Sequence, residues 1–253
     1  MTKVGFLAPP TTWNDVPLEF LRVAPDGTSV AGAFIPVRLM GRTMADFSLD
    51  RIADALPAVQ EGARDLAVAG ADVVAQFGIP FSLAHAERAR GAQAQVADAA
   101  GVPVVLMGAA MLDALDHLGA RRIAIAGGYY PPGDWTSMAR RGFEANGFDV
   151  VFQEGWVEQG IVASVGESDR LAWEQDAAIT KAHVLRTAER AGRSVDAIAV
   201  CGGGLRLLGH ATELEAATGL PIVAGDLAMF WATLKAMDAK PRSAGWGRLL
   251  DGL

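Results

Sequence analysis

The chain has 253 residues, a formal charge of −7, 51% hydrophobic residues, 29 glycines and one cysteine. The acidic balance, with no basic run longer than Arg121-Arg122 or Arg140-Arg141, argues against a nucleic-acid or anionic-membrane partner. A lone cysteine excludes an intramolecular disulfide framework and fits a reducing compartment. No apolar stretch reaches the length of a membrane span, and the start is too short in its apolar part for a signal peptide, so the expected setting is soluble and cytoplasmic.

From the amino end, strand-like and helix-like segments alternate. A strand over 3–8 enters a loop, Pro9-Pro10-Thr11-Thr12-Trp13-Asn14-Asp15, and a second strand covers 29–35. An alanine-rich amphipathic stretch over 48–69 leads to a strand at 73–77, a helix over 84–100, a strand at 102–107 and a helix over 110–118. The pattern then repeats: strand 122–126, helix 135–146, strand 149–153, helix 169–191, strand 197–200, helix 205–217, strand 221–224 and helix 228–239. Such alternation implies parallel sheets covered by helices, the doubly wound α/β class.

Two units match in detail. Gly70-Ala71-Asp72-Val73-Val74-Ala75-Gln76-Phe77-Gly78 precedes a helix and then Gly101-Val102-Pro103-Val104-Val105, while Val195-Asp196-Ala197-Ile198-Ala199-Val200-Cys201-Gly202 precedes a helix and then Gly219-Leu220-Pro221-Ile222-Val223. The match predicts two pseudo-symmetric, Rossmann-like lobes with parallel four-stranded sheets and an interlobe active-site cleft, Gly78 and Cys201 being equivalent positions. The expected division is a first lobe over 1–112, completed by 226–253, and a second over 113–225 that carries Cys201.

Cys201 ends an apolar run and is followed by Gly202-Gly203-Gly204. The sulfur is therefore expected at the carboxyl end of a strand, the edge where open α/β sheets bind ligands. Glycines admit a ligand to the backbone and let N–H groups point at an anion. A helix starting at Leu205 would place its N-terminus near the thiol and lower its pKa. The alternative is a buried structural cysteine, a small hydrophobe. Gly127-Gly128-Tyr129-Tyr130 follows another strand and brings a phenol to the same edge. No Walker A, G-x-G-x-x-G or G-x-S-x-G sequence is present, which argues against nucleotide and α/β-hydrolase chemistry. His85, His117, His183 and His210 lack ligand spacing, so no metal site is expected and each reads as a helix-surface or internally satisfied residue.

Taken in order, Val4-Gly5-Phe6-Leu7-Ala8-Pro9-Pro10, Gly70 to Gly78, Leu118-Gly119-Ala120-Arg121-Arg122-Ile123-Ala124-Ile125-Ala126 leading to Tyr129, Cys201-Gly202-Gly203, Gly219-Leu220-Pro221-Ile222-Val223, Phe230-Trp231 and Gly245-Trp246-Gly247-Arg248-Leu249-Leu250 resemble the aspartate/glutamate racemase superfamily. The resemblance is greatest to its arylmalonate decarboxylase and maleate cis–trans isomerase branch. It implies facing lobes and, in most members, two cysteines flanking the substrate's α-carbon. Here Cys201 fills the second position and Gly78 stands at the first, the arrangement the resemblance associates with decarboxylases. These remove a carboxylate without a cofactor and protonate the resulting enediolate from the cysteine.

The resemblance further implies a small-molecule carboxylate substrate, with Pro9, Pro10, Thr11, Gly78, Ile79, Pro80, Ser82, Tyr129, Gly202 and Gly203 around it. Backbone N–H groups of Cys201 and Gly202 and the Tyr129 phenol are the expected oxyanion donors. The chain departs from the pattern after Gly78. Where a Thr-Ser pair would bind the retained carboxylate, it has Ile79-Pro80, which bring no side-chain donor and, at Pro80, no backbone donor. Ser82, Thr11 or Thr12 are the candidates to rebuild that half. A decarboxylase with Cys201 as proton donor is the leading expectation. A one-base isomerase or tautomerase on the same scaffold and a non-catalytic small-molecule binder are its competitors, and a homo-oligomer is left open.

Overall fold

The computed structural model describes residues 2–9, 14–35, 49–173 and 177–253. Among the described residues, eight strands form two four-stranded sheets. β1 (Lys3–Ala8), β2 (Ser29–Phe34), β3 (Val73–Gln76) and β4 (Val104–Leu106) take the order β2-β1-β3-β4, and β5 (Arg122–Ala126), β6 (Asp149–Glu154), β7 (Ala197–Val200) and β8 (Ile222–Ala224) take the order β6-β5-β7-β8. Every pairing is parallel. The central strands Val73–Gln76 and Ala197–Val200 are buried along their whole length, as expected where helices cover both faces.

The helices among the described residues are α1 (Val16–Val23), α2 (Leu49–Ala53), α3 (Leu56–Val68), α4 (Pro80–Leu83), α5 (Ala89–Ala100), α6 (Met107–His117), α7 (Asp134–Glu144), α8 (Val165–Trp173), α9 (Ala177–Ala191), α10 (Ala211–Thr218), α11 (Gly225–Ala236) and α12 (Arg248–Asp251). Several helix boundaries differ from the sequence reading, and three of the differences bear on the site or its approach. α1 lies where only a loop is legible, opened by Pro17 in its first turn, a position that needs no amide donor. The stretch 48–69 is split into α2 and α3. The helix expected from Leu205 starts six residues later, at Ala211, because Gly202 and Gly204 take φ of +123° and +71° and Arg206 one of +53°, none of them helical.

The internal repeat is physical. Asp72 Oδ2 accepts Lys3 N–H at 2.8 Å at the foot of the first sheet, and Asp196 Oδ2 accepts Arg121 and Arg122 N–H at 2.9 and 2.8 Å at the foot of the second. At the other end Phe77 N–H reaches Leu7 O at 3.2 Å and Cys201 N–H reaches Ala126 O at 2.8 Å. Counting along the register, Leu7 pairs with Gln76 and Ala126 with Val200. The backbone counterpart of Cys201 is thus Phe77, and Gly78 corresponds to Gly202, with φ of +122° and +123°. The expected equivalence of Gly78 and Cys201 is therefore off by one residue, since sequence matching fixes the strands but not where each chain leaves its sheet.

The sheets share one core. Val4, Phe6 and Ala75 of the first sheet and Ile123, Ile125 and Ile198 of the second belong to a single buried cluster, joined by Met111 and Leu115 from α6 and Phe230 and Leu234 from α11. A second cluster, with Leu7, Val59, Leu66, Val74 and Leu106, fills the outer face of the first sheet. α6 and α11, the helices that follow β4 and β8, pack against each other. Beyond α11 the chain touches both lobes: Arg242 donates to Val23 O and Ala24 O, while Arg248 N–H is held by Glu215. Among the described residues no helix is long and apolar enough to cross a membrane.

One close contact sets how α6 leaves the first sheet. A β-carbon on Gly108 would stand 2.4 Å from Ser82 Oγ and 2.7 Å from Ile79 O. Alanine at this helical position would gain about 1 kcal/mol of helix propensity. Overlap with backbone in a packed core costs about 1–3 kcal/mol or more. Gly108→Ala is therefore expected to lower stability by about 1–2 kcal/mol net, read as a fall in the urea midpoint at unchanged slope; a rise in the midpoint would contradict this packing.

Candidate active site

β7 delivers Cys201 to the carboxyl edge of the second sheet, where the side chain is wholly buried. Burial pushes the thiol up to about 12. The sequence expectation of a thiol acidified by a following helix is thus corrected: that helix begins ten residues downstream, and desolvation favours the neutral S–H. At neutral pH the group is a thiol rather than a thiolate.

The turn after β5 closes on Cys201 from one side. Gly128 has φ +63°, and a β-carbon there would lie 2.4 Å from Cys201 O, so glycine is required twice over, for conformation and for space. Its N–H donates to His183 Nε2 at 3.0 Å. His183 Nδ1 faces Gln159 Oε1 at 2.8 Å, and Gln159 Nε2 donates to Thr187 Oγ1 at 2.9 Å. The chain of bonds assigns the Nδ1–H tautomer, and burial holds the imidazole down at about 3. His183 is therefore a neutral strut beneath the turn.

That turn presents Tyr129. Its hydroxyl accepts Gly203 N–H at 3.0 Å and donates to Gly203 O at 3.4 Å, and its ring stacks edge-on against Tyr130 and Trp156 at 5.3 and 5.9 Å. Burial drives the phenol up to about 12, partly offset by the Gly203 bond. The structure joins the two predicted elements, the phenol and the glycine loop, but it uses up donors. Cys201 N–H is taken by Ala126 O, Gly203 N–H by Tyr129 and the phenolic proton, over a long 3.4 Å, by Gly203 O, leaving Gly202 N–H. The expected role of Cys201 N–H as an oxyanion donor is corrected accordingly.

From the first lobe, Gly78 N–H meets Met107 Sδ at 3.4 Å. The Met107 methyl would lie 3.6 Å from a β-carbon on Gly203, and its sulfur 2.8 Å from one on Gly225. Met107 thus spans the gap between the two strand ends, with Gly78 on one side and the glycine loop on the other. Ile79 and Pro80 are buried at the start of α4. Ser82 is also buried, its hydroxyl accepting Ala109 N–H at 3.0 Å and leaning on Ile79 O at 3.4 Å. It is occupied in fixing α6. Pro9 follows β1 at the same edge; Pro10, Thr11 and Thr12 lie outside the described residues.

Sequence reasoning missed two buried carboxyls beside the loop. Asp226, second residue of α11, is pushed up to about 7 by burial, with backbone bonds from Gly204 and Leu205 opposing and Asp15 adding. Glu19 on α1 is also raised to about 7, chiefly by burial and then by Asp226 and Asp15, against Arg22 and Arg206. Met107 and His183 were missed as well. Only Asp226 had a legible signal, as an acidic residue directly after the Gly-x-Pro strand. One open cavity, of about 630 Å³, is lined by Leu185, Ala188, Gly192 and Leu220, at the amino ends of β7 and β8, the edge opposite to that used by ligands in such sheets.

The family model described as arylmalonate decarboxylase matches residues 4–250. The chain belongs to the arylmalonate decarboxylase family. It is 29% identical over 252 residues to arylmalonate decarboxylase of Bordetella bronchiseptica, covering 98% of this chain and 96% of that one. It is also 29% identical over 160 residues to a maleate isomerase of Pseudomonas putida, covering 63% and 59%. Unliganded arylmalonate decarboxylase superposes with a TM-score of 0.80 at 24% identity over the full length of both chains. The maleate isomerase Iso from Pseudomonas putida S16 superposes with 0.77 at 19% identity, over 99% of this chain and 98% of that one. The chain is an enzyme of the decarboxylase or isomerase type on this shared two-sheet fold.

Glu19 makes the electrostatics testable without turnover. Its folded pKa is raised, so the native state holds its proton longer than the unfolded chain does. That contribution to stability is complete below the ordinary carboxylate range and is lost as pH rises through about 7. Glu19→Gln is expected to leave stability nearly unchanged at pH 4 and to raise it by roughly 2 kcal/mol over wild type at pH 8, measured by urea unfolding at both pH values.

Proposed function

We propose that the protein is a decarboxylase of a malonate-like carboxylic acid in which Cys201 protonates the intermediate, acting without a cofactor. The observation that carries this reading is a fully buried, neutral thiol at the strand end, with no acid at either first-sheet counterpart, Phe77 or Gly78. One substrate carboxylate leaves as CO2, and the electron pair of the broken C–C bond passes into the retained carboxylate as an enediolate. Gly202 N–H and the Tyr129 hydroxyl, as it exchanges its long bond to Gly203 O for the substrate, are the donors offered to that charge. The α-carbon then takes the thiol proton, and the resulting thiolate recovers a proton from water. Apolar surroundings disfavour the dianionic substrate more than the spread charge of the intermediate. Ile79 and Pro80 make the first-lobe side poorer in donors, which favours a substrate with an apolar substituent there.

Similarity to maleate isomerase supports a second reading, in which the cysteine adds to a double bond. A Nocardia farcinica maleate cis–trans isomerase carries a covalently bound succinylcysteine intermediate. That chemistry needs a thiolate. With the thiol pushed to about 12, only about one in 10⁵ molecules would hold one at pH 7, so proton donation is the better match.

With a prochiral α-methyl-α-phenylmalonate in deuterated water, the expected outcome is CO2 release and a monodeuterated acid strongly enriched in one enantiomer. Cys201→Ser should lower kcat/KM by about 10³, within the range for loss of a positioned acid. Racemic product, or exchange into both enantiomers of added product, points to a second acid opposite Cys201. Maleate conversion without CO2 release from any malonate would favour the isomerase reading.

A further inference from the structure

α11 starts hard against the glycine loop. A β-carbon on Gly225 would stand 2.8 Å from Gly202 O, so the next residue, Asp226, is set beneath the loop. Its Oδ2 accepts Leu205 N–H at 3.0 Å, and Gly204 N–H bonds the same carboxyl. Its Oδ1 lies 3.8 Å from where a Gly203 β-carbon would be and has no hydrogen-bond partner. The residue is 3% exposed.

The first lobe solves the same problem differently. There the register counterpart of Asp226 is Gly108, and a side chain of α4, Ser82, reaches forward to cap Ala109 N–H. In the second lobe a side chain of the helix reaches back to hold the turn. A neutral hydroxyl has thus been exchanged for a carboxyl, next to the donors named above.

The charged and titratable groups around it come from every neighbouring element. α1 and its preceding residue bring Glu19, Arg22 and Asp15; the loop after β7 brings Arg206; the turn after β5 brings Tyr129 and Tyr130; and Cys201 directly follows β7. The two arginines are engaged elsewhere, Arg206 with Asp15 at 3.1 Å and Arg22 with Glu19 at 3.9 Å. Among the described residues, a negative charge on Asp226 would be answered directly only by backbone amides.

We propose that Asp226 is a positioning residue that serves the site in its neutral form: it holds the Gly204–Leu205 turn so that Gly202 N–H and the Tyr129–Gly203 pair face a substrate carboxylate, and when ionised it sets a repelling charge beside that carboxylate. The inference rests on the reading that a carboxylate binds at the glycine loop. Burial supports it, since the carboxyl changes charge near pH 7, so substrate binding should weaken as pH rises through neutrality. Asn keeps the size and the acceptor but cannot ionise; Leu keeps the size and loses the acceptor.

The test uses phenylacetate binding by calorimetry between pH 5.5 and 8.5, alongside arylmalonate kinetics. Wild type should lose about tenfold in phenylacetate affinity between pH 6 and 8, as expected for a charge opposed at short range in a partly screened site. Its KM for the malonate should rise over the same range with kcat changing less. Asp226→Asn should show flat affinity, and Glu19→Gln should keep the decline. Asp226→Leu should bind about tenfold more weakly at all pH values and exchange the Leu205 amide faster. Absence of CO2 release with phenylacetate binding intact sinks the decarboxylase reading and leaves this test standing. A decline in Asp226→Asn equal to that of wild type, its loss in Glu19→Gln alone, or no phenylacetate binding by wild type at any pH overturns the role of Asp226.

Discussion

At the carboxyl edge of the second sheet, three stretches of backbone meet with no side chain between them. Gly128 sits on Cys201 O and Gly225 on Gly202 O, each closer than a β-carbon allows. This steric constraint fixes the turn after β5, the loop after β7 and the start of α11 as one unit. Tyr129 can therefore bond Gly203, and Asp226 can bond Leu205. Opening any one of these contacts would move the donors and the thiol together.

The same packing produces the electrostatics. Exclusion of water raises Cys201 and Tyr129 to about 12, raises Asp226 and Glu19 to about 7 and lowers His183 to about 3. Every one of these shifts favours the neutral form. A site lined by neutral polar groups suits an anionic ligand whose own charge is the largest present, and suits chemistry in which charge moves within the ligand. The His183–Gln159–Thr187 bonds keep the Gly128 amide satisfied without adding a charge.

The lobes are alike in their strands and different in their ends. All eight strands are legible from apolar runs bounded by glycine, proline and aspartate, and the repeat is visible because Asp72 and Asp196 anchor the same N–H groups in each sheet. Departures begin where the chain leaves the sheet. Phe77, not Gly78, faces the register position of Cys201; Ser82, expected as a ligand group, is spent on α6; and the helix expected after Cys201 is deferred to Ala211. In each case positive φ at a glycine or a bond between distant residues decides the geometry, and neither is readable from periodicity.

By itself the sequence determined the class of fold, the family and the identity of the one thiol, because hydrophobic periodicity, strand anchors and the Cys-Gly-Gly run are local in the chain. Only the tertiary structure decided what that thiol is chemically. Its protonation depends on how completely Gly128, Tyr129 and Tyr130 from one turn and the loop after β7 exclude water. The partnership of Tyr129 with Gly203 spans 74 residues and that of Leu205 with Asp226 spans 21. Desolvation and long-range backbone contact are properties of the packed chain, which is why Asp226, Glu19, His183 and Met107 entered the site only once the two sheets had been brought together.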